Sequence, residues 1–205
     1  ILNSDDEFNT MISIMKKEIN NYPTYFVTPS SYYCKYWTNL LSKNVVFIPH
    51  ALDIDRLKCN KSTDQLIKKY QLDKNKIKIL LPSRLERPHL ILESLSYLDK
   101  IERDKYQVIF TGIDIQYKNN IEILKNIAKK YGINAKFVKF DHINEGYKVT
   151  DLVLIPSKSE SFGYSALESL YLGIPTILSN IPTLREIATE TTNYFFFENN
   201  KDLAV

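Results

Sequence analysis

Glu160 and Glu168 stand eight positions apart in the stretch K-S-E-S-F-G-Y-S-A-L-E (158 to 168). An ionised carboxylate only accepts hydrogen bonds, which suits it to the paired hydroxyls of a sugar or a ribose. Around the pair, a short apolar run (Leu152 to Ile155), a proline turn (Pro156 to Ser159) and a longer apolar stretch (about Phe162 to Leu172) predict a strand, a turn and a helix. The first amides of that helix, on Phe162, Gly163, Tyr164 and Ser165, lack partners within it. With the positive end of the helix dipole they make a site for a phosphate or pyrophosphate. Gly163 lets the backbone approach such a ligand closely. Eight residues of helix span about 12 Å, less if the first two lie in the turn, which matches the reach from a sugar across a pyrophosphate to a ribose. Taken alone, two glutamates at this spacing are better explained as a solvated loop acid and an exposed helix residue, so the surrounding frame decides.

Other residue types capable of chemistry are few. Arg84, in Pro82-Ser83-Arg84, follows the run Ile77 to Leu81 and would project from the same sheet edge as the helix at Phe162. A guanidinium there grips a diphosphate through two nitrogens and stabilises its growing charge. Arg87 either assists or is an ordinary ion-pair arginine. The pair Asp53-x-Asp55 invites a divalent metal, but after a strand and before a polar helical stretch each reads better as a turn or N-cap acid. His50, His89 and His142 form no constellation with a serine or cysteine nucleophile, which argues against a hydrolase. The chain lacks G-x-G-x-x-G, the usual fingerprint of a nicotinamide or flavin site. Cys34 and Cys59 show no C-x-x-C spacing, so free thiols in a reducing compartment are expected.

The elements that would position these residues follow from hydrophobic periodicity. Phe8, Met11, Ile12, Met15, Ile19 and Tyr22 recur at helical spacing over Asp5 to Tyr22, an amphipathic helix whose basic face is too thin for a membrane surface, so it packs on a core. A strand at Tyr25 to Thr28, a helix capped by Ser30 or Ser31 and running through Leu41, and a strand at Val45 to Ile48 come next. Tyr32, Tyr33, Tyr36 and Trp37 read as packing aromatics. From Ile77 the runs Ile77 to Leu81, Gln107 to Phe110, Lys136 to Phe140, Leu152 to Ile155 and Thr176 to Leu178 alternate with helices near Leu90 to Leu98 and Asn119 to Tyr131. Strands apolar on both faces and separated by helices predict an α/β fold, a Rossmann-like doubly wound parallel sheet that binds ligands at the carboxyl ends of its strands. At 205 residues with a net charge of +3, the chain is too balanced to imply nucleic acid. No apolar run approaches the roughly 20 residues of a membrane span. The opening Ile1 and the closing Asp202-Leu203-Ala204-Val205 suggest a piece of a longer protein.

From Tyr25 onward the order of motifs resembles the retaining glycosyltransferases of GT-B architecture in the family-four group. The matching pieces are F-V-T-P-S (26 to 30), V-F-I-P-H-A-L-D (46 to 53), the strand before Arg84, V-I-F-T-G (108 to 112), Y-K-V-T-D-L-V-L-I-P-S (147 to 157), E-S-F-G-Y-S-A-L-E (160 to 168) and G-I-P-T-I-L-S-N-I-P-T-L-R-E-I (173 to 187). The resemblance implies the carboxyl-terminal half of a GT-B fold over 49–205, with 1–48 a remnant of the amino-terminal domain and its linker. It implies transfer of a hexose from a UDP- or GDP-sugar to a glycan, lipid or other acceptor, with retention of configuration and with neither metal nor cofactor. Glu160 would contact donor-sugar hydroxyls and Glu168 the ribose; residues 161–165 (Ser161, Phe162, Gly163, Tyr164 and Ser165) would touch sugar and pyrophosphate. Arg84 would bind the diphosphate, and the base would lie near the strand end at Phe140. The family's lysine shortly after the arginine is missing from the shortened segment 85 to 90, which leaves Arg87 as the basic substitute. That gap motivates a rival reading as a non-catalytic nucleotide-sugar-binding or scaffold subunit; a nucleotide-sugar epimerase is a third, although such enzymes do not usually carry the two-glutamate frame. The expected setting is cytoplasmic, with any contact to the inner membrane face assigned to the amino-terminal domain.

Overall fold

A computed structural model of the chain describes residues 5–21, 25–82, 87–111, 118–189 and 192–203. Its contacts divide it into two compact units, Ile1–Ala51 and Leu52–Val205. The first unit holds α1 (Asp5–Asn21), β1 (Phe26–Thr28), α2 (Ser31–Leu41) and β2 (Val45–Phe47), with the two strands paired in parallel. The Ser30 hydroxyl caps α2, accepting from the Tyr33 amide at 3.2 Å. Along α2 the rings of Tyr32, Tyr33, Tyr36 and Trp37 pack edge to face on one another, with centroids 5.2 to 6.2 Å apart.

The second unit contains α3 (Ile54–Leu57), α4 (Thr63–Tyr70), β3 (Ile77–Leu81), α5 (His89–Ser96), α6 (Lys100–Arg103), β4 (Tyr106–Phe110), α7 (Lys118–Tyr131) and β5 (Ala135–Phe137). Then come α8 (Ile143–Lys148), β6 (Leu152–Ile155), α9 (Tyr164–Tyr171), β7 (Thr176–Ser179), α10 (Pro182–Ala188) and β8 (Tyr194–Phe197). The strands form one parallel sheet in the order β5-β4-β3-β6-β7-β8. Because successive strand side chains point to opposite faces, the sheet feeds two cores. Leu80, Ile109, Val153, Ile155 and Leu178 join one with Leu66, Tyr147, Ala166, Leu170 and Leu184 from α4, α8, α9 and α10. Ile79, Leu81, Val108, Phe110 and Leu154 join the other with Leu92, Leu95, Leu124 and Ala128 from α5 and α7. Helices on both faces make this the doubly wound sheet that the apolar runs predicted.

Strand order reverses between β3 and β6, and in such sheets ligands sit in the crevice outside the carboxyl ends at that switch point. Two boundaries differ from the sequence reading and bear on the site. The strand expected to reach Phe140 ends at Phe137, leaving Phe140 in the following loop. The helix expected from Phe162 begins at Tyr164. Among the described residues no helix is long and apolar enough to cross a membrane.

Candidate functional site

Pro156 closes β6 beside the switch point, and the chain turns through Ser157 to Gly163 before entering α9. Gly163 caps the helix at φ 98°, a left-handed conformation that costs other residues energy. A Cβ there would lie 2.9 Å from Leu184 Cδ2 and 3.1 Å from Ile187 Cδ1, so the turn also needs a hydrogen at this position to pack on α10. The amides of Ala166 and Leu167 both bond the Gly163 carbonyl at 3.1 Å, which starts the helix ladder there. The backbone just before them lies at the positive end of the α9 dipole. Phe162 therefore lies in the turn, its ring edge-on to Tyr164 at 5.1 Å, rather than in the helix.

The later helix start also moves Glu168. It is the fifth residue of α9, little more than one turn in, so the helical part of its separation from Glu160 is about 6 Å. The two acids are held differently. Glu160 is half-buried in the turn and accepts from the Ser157 hydroxyl at 2.7 Å. Glu168 is 2% exposed, too buried for the exposed helix acid its sequence position allows. The Tyr147 hydroxyl donates to its Oε2 at 2.8 Å, and Arg56 Nη2 binds its Oε1. Burial, reinforced by the Glu168 charge, pushes the Tyr147 phenol above its ordinary range, so the hydroxyl stays a donor to the carboxylate. Arg56 in turn sits on α3, whose N-cap is Asp53, accepting from the Arg56 amide at 3.2 Å. The first acid of the Asp53-x-Asp55 pair is thus a cap, and the second pairs with Lys58 at 2.6 Å.

Arg87, expected beside a diphosphate, reaches across the switch point: its Nε donates to the Pro156 carbonyl at 2.8 Å, and its Nη2 to the Ser157 carbonyl and Ser179 Oγ, both at 3.0 Å. Arg84 lies outside the described residues. Phe140, in the loop after β5, packs edge to face on Tyr70 at 4.6 Å, and Gly146 of α8 leaves room for its ring. Behind it stands buried Glu145, which accepts from Lys69 Nζ at 3.0 Å and binds Lys61 and the Tyr70 hydroxyl. Burial alone would raise the Glu145 pKa, but Lys61, Tyr70 and Lys69 together overcome it and lower the carboxyl from 4.5 to about 2. Such a group stabilises the fold above its unfolded pKa and loses that contribution as pH falls through the folded one. Folding stability should therefore drop between pH 4.5 and about 2, measured by urea unfolding across that range, and Glu145→Gln should flatten the drop.

Arg56, Tyr147, Ser157 and the Glu145 cluster were not singled out by the sequence. Arg56 had one signal, its place three residues after the cap acid Asp53, where a first-turn side chain is fixed in direction. The other contacts cross from one element to another and leave no local pattern.

Residues 62–205 match the family described as glycosyl transferases group 1. The chain is similar to the O-antigen biosynthesis glycosyltransferase WclY of Escherichia coli, 33% identical over 115 residues, which is 56% of this chain and 31% of that protein. Among solved structures, a glycosyltransferase from Rickettsia africae ESF-5 superposes with a TM-score of 0.79 at 21% identity, covering 100% of this chain and 56% of that one. Anabaena HepE, solved in complex with UDP and glucose, superposes with a TM-score of 0.80 at 16% identity, covering 95% and 55%. The chain thus spans under a third of the curated relative and little more than half of each solved neighbour. The likeness establishes the carboxyl-terminal, Rossmann-like fold of GT-B glycosyltransferases.

Proposed function

The chain belongs to the group 1 glycosyl transferases, and from that premise we propose that it supplies the donor site of an enzyme that moves a hexose from a UDP- or GDP-sugar to a glycan or lipid-linked acceptor. The observation that carries this reading is the pair of carboxylates flanking one turn at the switch point: half-buried Glu160 in the turn and buried Glu168 on α9. Glu168, held by Tyr147 and Arg56, offers its remaining lone pairs to the ribose hydroxyls. Glu160 takes sugar hydroxyls, and the backbone from Ser161 to Ser165 at the α9 N-terminus receives the pyrophosphate. Arg84 grips the diphosphate, and the base rests in the loop at Phe140.

In the transfer, the bond between the anomeric carbon and the diphosphate oxygen breaks while the acceptor oxygen bonds on the same face, so configuration is retained. The departing diphosphate takes up the acceptor's proton. Its charge is borne by Arg84 and the helix dipole, without a metal ion. The reaction serves the building of surface polysaccharide on the cytoplasmic side of the membrane. WclY, named for O-antigen biosynthesis, supports the polysaccharide role, and HepE, bound to UDP and glucose, supports the donor class.

A panel of UDP, GDP and their sugars, read by thermal melting of this chain, tests the donor site. At least one nucleotide should raise the melting temperature in a concentration-dependent way. No shift with any of them would overturn the reading.

A further inference from the structure

Arg87 is the basic residue left where the family pattern suggests a second diphosphate ligand, yet its guanidinium is bound to the protein itself. Nε donates to the Pro156 carbonyl at 2.8 Å, and Nη2 to the Ser157 carbonyl and the Ser179 hydroxyl at 3.0 Å each. Those partners come from the ends of β6 and β7, on the far side of the switch point from the β3 loop that carries Arg87. Ser179 is itself fixed, its hydroxyl 3.3 Å from the Ile155 carbonyl. The backbone of Arg87 has φ 46°, a region uncommon for a residue with a side chain, and such strain persists where surrounding bonds over-determine the conformation.

The next contact along the turn is the informative one. Ser157, whose carbonyl Arg87 holds, is 3% exposed and donates its hydroxyl to Glu160 Oε1 at 2.7 Å. A continuous chain therefore runs from the guanidinium through Ser157 to the half-buried carboxylate. We infer that Arg87 is a positioning residue: it fixes the turn bearing Ser157 and Glu160, so that Glu160 is aimed at the donor sugar, and it does not serve as the diphosphate ligand. This rests on the reading of Glu160 as the sugar contact. A planar guanidinium that forks onto neighbouring carbonyls sets direction as well as distance, which a lysine cannot reproduce.

The two roles predict opposite patterns. UDP carries the diphosphate without the sugar, whereas UDP-glucose carries both. Arg87→Met should weaken UDP-glucose binding roughly tenfold and leave UDP binding within about twofold; GDP and GDP-mannose are titrated alongside in case the base is guanine. Ser157→Ala, which leaves Arg87 in place, should give the same selective loss, and the double variant should lose little more than either single one. Arg87→Lys should recover only part of the sugar contribution. If Arg87→Met weakens UDP and UDP-glucose alike, Arg87 is a diphosphate ligand and the inference fails; if it weakens neither, the latch has no consequence and the inference fails as well. Amide hydrogen exchange on the ligand-free chain gives a readout that does not depend on the donor reading. Residues 157–161 should exchange faster in Arg87→Met with β3 and β6 unchanged, and unchanged exchange there overturns the latch even if no nucleotide binds the wild type.

Discussion

Replacing Glu168 with alanine should weaken nucleotide binding roughly ten- to hundredfold, because charge-assisted hydrogen bonds contribute about 1.5 to 3 kcal/mol. The basis is its surroundings. A carboxylate only 2% exposed would be costly to bury without partners, and here Tyr147 and Arg56 each donate to one of its oxygens. Each oxygen keeps a further acceptor site, so a ribose diol can bind without displacing either donor. Tyr147, itself buried, holds the carboxylate in one orientation; Arg56, with 58% of its side chain exposed, adds a partly screened ion pair. Alanine removes the better acceptor and leaves the buried Tyr147 hydroxyl only the long contact to the Ser165 carbonyl at 3.5 Å, so some loss of stability accompanies the loss of binding. Glu168→Gln separates the two effects. It keeps the volume and an acceptor for Tyr147 but removes the charge, so it should be nearer wild type in urea unfolding while still binding nucleotide more weakly. Calorimetric titration of both variants measures the difference, and equal affinities for wild type and Glu168→Ala would mean the ribose lies elsewhere.

Gly163→Ala should destabilise the chain by about 2 to 5 kcal/mol. Left-handed backbone costs a residue with a Cβ about 1 to 2 kcal/mol, and a methyl forced into a packed core adds roughly 1 to 3 kcal/mol. The added carbon would stand 2.9 Å from Cδ2 of Leu184, a fully buried residue of α10, and 3.1 Å from Ile187 Cδ1, so these side chains must shift to admit it. Relief of the contact, together with the altered backbone at residue 163, shifts α9 against α10 and moves the helix N-terminus and the turn before it. Donor affinity should fall together with stability. Urea unfolding checks the first effect, and a loss under about 0.5 kcal/mol, the size of an ordinary surface change, would show that the turn tolerates a side chain.

The fold was legible because its strands are apolar on both faces. Ile77–Leu81 and Leu152–Ile155 begin and end where the sequence places them, since each run is bounded by a proline at its carboxyl end and by polar residues before it. The sheet's last strand, Tyr194–Phe197, was not predicted: it is an edge strand whose Phe195 is 73% exposed, and the short helix α10 before it was not recognised either, so no strand-helix-strand alternation marked it. Short helices gave little warning for a similar reason. α8 is six residues long, and its N-cap His142 makes no side-chain capping bond, so no start signal precedes Tyr147. Glu160 and Glu168 stood out by type and spacing, but how each is held did not. The Tyr147 and Arg56 bonds to Glu168 span 21 and 112 positions of sequence. Spacing along one helix cannot report partners that tertiary packing delivers from two others. The start of α9 was misplaced by two residues because Phe162 is apolar and fits the helical pattern, whereas the left-handed Gly163 that interrupts it is a property of the backbone.

The most direct test of the two-glutamate donor site is a crystal structure of the chain with whichever nucleotide-sugar raises its melting temperature most. The ribose hydroxyls should lie within about 3 Å of the Glu168 carboxylate, the pyrophosphate at the α9 N-terminus and the sugar hydroxyls on Glu160. A nucleotide bound away from the carboxyl ends of β3 and β6, or a ribose with no contact to Glu168, would contradict it.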